Sequence, residues 1–163
     1  MILTLWRHGE AELSRSDEQR ALSLLGREHS QMMAESYEQW RSSTGIAPVA
    51  AVFFSPYRRT RETAELLADA IQPDRLEVLE ALAPGARPES FTEEQFDASR
   101  HVILVSHQPF VSQAISYWAD DATLAPLAPG GYSALEVLSL QRGGVSPLRH
   151  CPDPRAVMHE VSV

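Results

Sequence analysis

After Met1 the chain runs Ile2-Leu3-Thr4-Leu5-Trp6-Arg7-His8-Gly9-Glu10, an apolar segment that gives way abruptly to charge. Ile2 to Trp6, all but Thr4 apolar, reads as a short buried strand, and polar chemistry starts at its carboxyl end. In open α/β sheets ligands sit outside the carboxyl ends of strands, so Arg7 and His8 emerge where a substrate is expected. Gly9 lets the backbone turn and keeps bulk away from whatever His8 faces. A cation beside an imidazole beside a glycine suits an anionic ligand attacked by a ring nitrogen. By itself the tripeptide equally fits the polar end of any strand, so the rest of the chain must decide.

Working outward, two more segments repeat the pattern of strand, polar hinge and helix. Val49 to Phe54 is a continuous apolar run that stops at Ser55-Pro56, which predicts a helix with Ser55 as N-cap and Pro56 first. Ala64, Leu67, Ala68 and Ile71 give that helix an apolar face. Arg58 and Arg61 read as its solvated side. Arg59 lies near the helix N-terminus, where the helix dipole favours an anion that a guanidinium can clamp. Val102 to Val105 is the third strand, ending at Ser106-His107-Gln108-Pro109, with Pro109 predicted to begin a helix. His107 therefore sits as His8 does.

Between these segments, Ser23 to about Ser42 predicts a helix whose stripe is Met33, Tyr37 and Trp40. Leu76 to Leu79 predicts a short strand, Ala83 to Pro88 a turn, and Glu89 to Phe96 one or two helical turns. Tyr132 to Leu138 reads as a further strand, followed by a hairpin turn at Gln141-Arg142-Gly143-Gly144. The tail from Ser146 fits no single element. Strands alternating with helices predict an α/β three-layer sandwich around a mostly parallel sheet, as one domain over 1–163. The connection from Gln72 to Arg100 leaves little room for a large cap insertion.

Composition narrows the function classes. The 163 residues carry a net charge of -8, which argues against nucleic acid as partner. A hydrophobic fraction of 44% and a charged fraction of 22% are ordinary for a soluble domain. Cys151 is the single cysteine, so no intrachain disulfide is available. The first apolar run is too short for a secretory signal and no run has membrane-spanning length; the expectation is cytoplasm and no membrane partner. An acidic chain that binds an anion must concentrate its cations locally. Parallel strands finish on one edge, so Arg7, His8, Gly9, Arg59 and His107 can meet there, implying phosphate or a phosphate ester. No His-x-x-His or Glu-x-x-His spacing appears, so neither metal nor cofactor is expected.

Arg7-His8-Gly9, Ser55-Pro56-x-x-Arg59-x-x-Glu62-Thr63-Ala64 and Ser106-His107 resemble the histidine phosphatase superfamily, which shares its fold with cofactor-dependent phosphoglycerate mutase. Leu22-Ser23-x-x-Gly26, Ala83-Pro84-Gly85 and Val105-Ser106-His107-Gln108-Pro109-Phe110-Val111 look most like SixA-type phosphohistidine phosphatases. Glu62 and Thr60 stand where the family commonly has Gln and Ala. The resemblance implies a metal-independent phosphatase with His8 as nucleophile, a phosphohistidine intermediate, and Gly9 supplying the carbonyl that holds the other ring nitrogen. It assigns Arg7, Arg59 and His107 to the phosphoryl oxygens, with Gly9 and Gln108 as further substrate-binding positions. Many members use an acidic residue shortly after a Leu beyond the second strand. Here the run is Leu79-Glu80-Ala81-Leu82 and the better register puts Ala81 there. Glu80 is then either the candidate general acid or an exposed loop carboxylate. The implied partner is a phosphorylated protein bearing phosphohistidine, or else a small phosphate ester. A catalytically idle phosphate-recognition module is the remaining alternative.

Overall fold

The structure is a computed structural model and describes residues 1–96 and 100–161. The initial apolar run is a strand, β1 (Ile2–Arg7), buried through its interior. Leu3 and Leu5 pack into one core layer while Trp6 enters the other, as the two-residue period of a strand requires. α1 (Leu24–Ser43) starts where the Ser23 hydroxyl accepts the Gly26 N–H at 3.0 Å. Met33 and Tyr37 on its stripe are fully buried. β2 (Ala51–Phe54) begins two residues into its apolar run, with Ala50 N–H still reaching His101 O at 2.8 Å.

The next helix corrects the expected start. α2 spans Arg58–Ile71 with Tyr57 at its N-cap, so Ser55 and Pro56 lie outside it. The Ser55 hydroxyl accepts the Tyr57 N–H at 3.2 Å and also bonds His107 Nε2 at 2.7 Å. Tyr57 keeps an extended backbone, so helical geometry begins only at Arg58. β3 (Arg75–Val78) follows, then 3-10 turns at Glu80–Leu82, Pro88–Ser90 and Glu93–Phe96. β4 (His101–Ser106) leads to α3 (Phe110–Ala119), where Pro109 is the N-cap rather than the first helical residue. β5 (Tyr132–Val137) and β6 (Val145–Cys151) form the hairpin, and the ambiguous tail resolves into β6 and α4 (Pro154–Val161).

The sheet order is β3-β2-β4-β1-β5-β6. The first four of these strands are parallel, and β5 runs against both neighbours. Side chains of α1, α2 and α4 share one core with Trp6, Val52 and Ile103. Phe110, Val111 and Trp118 of α3 share the other with Leu5, Phe53 and Leu104, together with Leu82, Phe91 and Phe96. This is the mixed α/β three-layer arrangement expected, and no cap is inserted among the described residues between β3 and β4. No described helix is long and apolar enough to cross a membrane. β1 and β4 are neighbours whose following helices cover opposite faces, which makes their carboxyl ends the switch point where a crevice forms.

His101, assigned nothing from sequence, ties the layers together. Its Nδ1 faces the Ala47 carbonyl at 2.8 Å and must donate, so its Nε2 accepts the Tyr37 hydroxyl at 2.6 Å. That hydroxyl in turn accepts the Thr4 hydroxyl at 2.6 Å. α1 is thereby locked to β1 and β4 through buried, satisfied groups.

The loop leaving β1 lies directly against α1. A Cβ on Gly26 would stand 2.1 Å from the Glu10 carbonyl oxygen, and one on Gly9 would stand 2.9 Å from the Gly26 oxygen. Alanine at position 26 would gain up to about 1 kcal/mol of helix propensity. The backbone clash outweighs it: Gly26→Ala is expected to destabilise the protein by about 1–3 kcal/mol in denaturant unfolding. Unchanged or raised stability would show that this contact yields freely.

Candidate active site

The site is assembled at the carboxyl ends of β1, β4 and β2. Arg7 pairs in register with Ser106, so His8 and His107 leave adjacent strands side by side, with His8 N–H bonded to Ser106 O at 3.1 Å. Their ring centres are 5.3 Å apart. Phe54 pairs with Val105, which brings the β2–α2 junction alongside. Arg59, the second residue of α2, donates from Nε to His8 Nε2 at 3.3 Å. Arg7 donates from Nη1 to the Leu127 carbonyl at 2.9 Å. The structure thus brings Arg7, His8, Arg59 and His107 together from three strand ends.

Two partners determine the His8 tautomer. Nδ1 lies 2.7 Å from the Gly9 carbonyl, which only accepts, so Nδ1 carries the proton. Nε2 faces a guanidinium, which only donates, so Nε2 presents its lone pair. Burial lowers the His8 pKa to about 3; the Gly9 bond opposes this, and the positive surroundings of His107, Arg59 and Arg7 reinforce it. The ring is neutral at neutral pH, with the Nε2 lone pair turned toward Arg59.

Behind His8 stands Thr63. Its hydroxyl accepts the Gly9 N–H at 3.0 Å and donates to the Arg59 carbonyl at 2.8 Å, joining the loop that follows His8 to α2. Both backbone polar groups of Gly9 are therefore engaged inside the protein, one by His8 and one by Thr63. Gly9 holds His8 rather than offering a donor to a ligand. Burial likewise lowers the His107 pKa, to about 4, with Arg59 and Arg7 lowering it further and Asp17 opposing. Tyr57 packs edge-on against His107 at 5.2 Å and under the Arg59 guanidinium at 5.0 Å.

Arg59 is 5% exposed, and its remaining bonds go to one residue that the sequence left in a loop. Nη1 donates to the Asp17 carbonyl at 2.7 Å and Nη2 meets the Asp17 carboxylate at 3.4 Å. Slight burial works to raise the Asp17 pKa, but the charge and hydrogen bonds of Arg59 and Arg20 outweigh it and hold the carboxyl below its ordinary value. Gln108 donates to the Leu127 carbonyl at 2.8 Å and to Ser112, so its carboxamide braces the segment that also receives Arg7. Glu80 lies in the 3-10 turn past β3, which is tied to the site edge through Ser106 Oγ bonded to the Leu82 carbonyl at 2.7 Å. Its side chain is exposed and makes no described hydrogen bond or ion pair. Glu62 accepts the Leu22 N–H at 2.9 Å, and Thr60 donates to the Ser55 and Tyr57 carbonyls, so both departures from the family pattern serve local structure. Arg58 and Arg61 pair with Glu62 and Glu65 on the exposed side of α2.

Sequence reasoning missed Asp17 and the parts played by Thr63 and Tyr57. Thr63 carried a signal, since it stands four residues after Arg59 on one helix face. Asp17 carried none, lying 42 residues from its partner.

A family model described as histidine phosphatase superfamily (branch 1) matches residues 3–84. A phosphohistidine phosphatase SixA homolog of Haemophilus influenzae is 26% identical over 124 residues, covering 71% of this chain and 76% of that protein. Among solved structures, the protein histidine phosphatase SixA complexed with tungstate superposes with a TM-score of 0.79 at 22% identity, covering 96% of this chain and 99% of that one. A mycobacterial glucosyl-3-phosphoglycerate phosphatase complexed with VO3 gives a TM-score of 0.67 at 15% identity, covering 93% and 99%.

The tautomer and its burial generate two expectations. Nitrogen NMR should find His8 protonated at Nδ1, with the ring taking a second proton only as pH approaches about 3. The unfolded chain takes up that proton near 6.5, so the His8 contribution to stability is complete above pH 6.5 and lost as pH falls toward 3. Titration of His8 near 6.5 would contradict this geometry. Thr63→Val strips the Gly9 N–H of its partner and should cost about 1–3 kcal/mol of stability. Unaltered His8 ring resonances in that variant would remove Thr63 from the support of His8.

Proposed function

From the membership of this chain in the histidine phosphatase superfamily, which makes it a phosphatase, we propose that it hydrolyses phosphohistidine carried by another protein, with His8 as nucleophile. Residues 1–163 act as one domain in this reading. His8 Nε2 attacks phosphorus while the proton on Nδ1 stays hydrogen-bonded to the Gly9 carbonyl, and water then hydrolyses the phosphohistidine formed on the enzyme. Arg7, Arg59 and His107 take the phosphoryl oxygens. Charge-assisted bonds of this kind are worth roughly 1.5–3 kcal/mol each, and those that tighten during transfer raise the rate.

The observation that carries the choice of substrate is the carboxylate arrangement. Among the described residues no carboxylate bonds to His8: Asp17 is paired with Arg59, Glu62 with the Leu22 backbone, and Glu80 is exposed and unbonded. A carboxylate held ionised by arginine is a poor proton donor. Alkyl phosphates need such a donor, worth about 10²–10⁴-fold. An imidazole leaves from a labile P–N bond with far less help. The described part of the β3–β4 connection holds only short 3-10 turns, which leaves room for a side chain presented by a second protein. The Haemophilus influenzae relative, by its name a phosphohistidine phosphatase, agrees with this substrate.

His8→Ala should lower turnover by several orders of magnitude while the fold stays intact by circular dichroism. Phosphatase activity unchanged in that variant would end the assignment of His8. Initial rates compared across a phosphohistidine protein, an aryl phosphate and sugar phosphates should favour the first. Faster turnover of alkyl phosphates would transfer the assignment to a small-molecule phosphomonoesterase.

A further inference from the structure

We propose that Asp17 is the leaving-group partner of this enzyme: its carboxylate faces the imidazole of the substrate and favours the protonated ring from which the P–N bond breaks. The inference rests on the phosphohistidine reading and extends it to the exposed carboxylate beside Arg59.

The argument begins with the edges of the Arg59 guanidinium. Nε–H and one Nη2–H point along the same edge of the planar fork, the edge that clamps an anion with two parallel bonds. Here Nε meets His8 Nε2 at 3.3 Å and Nη2 meets Asp17 Oδ2 at 3.4 Å. A phosphoryl group seated on that edge has the attacking nitrogen at one end and the Asp17 carboxylate at the other. Displacement at phosphorus runs in line, so the leaving group departs on the side away from His8. With the group seated in this way, Asp17 at the Nη2 end of the edge faces the leaving group.

Asp17 is also free to change partners without disturbing Arg59. Its backbone carbonyl holds Nη1 at 2.7 Å, a shorter bond than the carboxylate makes and one independent of the side chain. The side chain is 60% exposed, so it can turn outward when a phosphoryl oxygen takes its place on Nη2. A purely structural clamp on a buried arginine would be expected to be buried with it. The charged and titratable groups around the Asp17 carboxylate are Arg59 from α2, Arg20 at 3.5 Å from its own turn, and His107 from the end of β4. They keep it anionic.

The step balances as follows. The substrate imidazole carries phosphorus on one nitrogen and takes a solvent proton on the other, and Asp17 accepts a hydrogen bond from that N–H. The anion favours this cationic form. The His8 Nε2 lone pair forms the new N–P bond as the substrate N–P bond breaks. The electron pair of the broken bond stays on the departing ring, which leaves as neutral imidazole with its proton on the far nitrogen. Water then attacks the His8-bound phosphorus, its proton passes to solvent, and the N–P electron pair returns to Nε2. Asp17 never donates a proton, which agrees with its ionised state.

The test compares two leaving groups. One is a phosphohistidine protein; the other is p-nitrophenyl phosphate, whose phenolate needs no proton. For Asp17→Asn, kcat/KM on phosphohistidine at pH 8 should fall about tenfold or more, the loss of a hydrogen bond to a charged acceptor. The deficit should narrow toward pH 6, where more of the substrate ring is protonated without help. KM for p-nitrophenyl phosphate should fall, because an anion competing for Arg59 is gone. Asp17→Glu should recover part of the loss on phosphohistidine. Equal losses on both substrates at every pH, or no change on phosphohistidine, would overturn the role of Asp17 while leaving the substrate reading in place. A wild-type enzyme inert toward phosphohistidine would overturn both.

Discussion

The parallel pairing of β1 with β4, with Arg7 opposite Ser106, is the constraint on which the site depends. It makes the next residues of both strands, His8 and His107, neighbours at the point where the following helices part to opposite faces. Because side chains alternate along a strand, a one-residue slip would send the apolar and polar sets of β1 to the wrong layers. Trp6 and Leu5, both fully buried, lie in different cores and oppose such a slip. The placement of the two imidazoles and the core packing are therefore enforced by the same hydrogen-bonded ladder.

Electrostatics then follows from burial. The protein carries a net charge of -8, yet it draws two guanidiniums and two imidazoles into one edge of its sheet. Keeping the imidazoles neutral reduces the repulsion among them, and burial pushes both in that direction. The cations are held by backbone carbonyls of Leu127 and Asp17, partners that neutralise nothing and so leave positive potential for an anion. The one carboxylate on Arg59 is exposed, where water screens it.

Substrate choice is a separate matter from the phosphoryl site. The fold is shared with a mycobacterial glucosyl-3-phosphoglycerate phosphatase at 15% identity, so the sandwich alone does not select a leaving group. Selection belongs to groups on the far side of phosphorus from His8. The carboxylates described around the site are Asp17, paired with Arg59, and Glu80, exposed in the turn past β3 with no described partner. The proposed preference for a phosphohistidine leaving group rests on that arrangement.

Much of this was legible in the chain itself. Short apolar runs ending in Arg7-His8-Gly9, Ser55-Pro56 and Ser106-His107 mark strands, because burial on both faces demands near-continuous hydrophobicity and polarity begins where it stops. Arg59 was legible from its place near a helix start, and Ser23 from the cap chemistry of α1. Local signals fell short where a distant partner gave a polar residue its role. The Ser55 hydroxyl bonds His107 as well as the nearby Tyr57 N–H, and His101 became a buried link between Tyr37 and Ala47. Asp17 was invisible for the same reason: its meaning is a contact across 42 residues, which only the packing of the β1–α1 loop against α2 creates. Periodicity and hinges determine which elements form and which ends carry chemistry. Hydrogen-bond partners for isolated polar residues depend on which loops the closed sheet brings face to face, and that is a property of the tertiary structure alone.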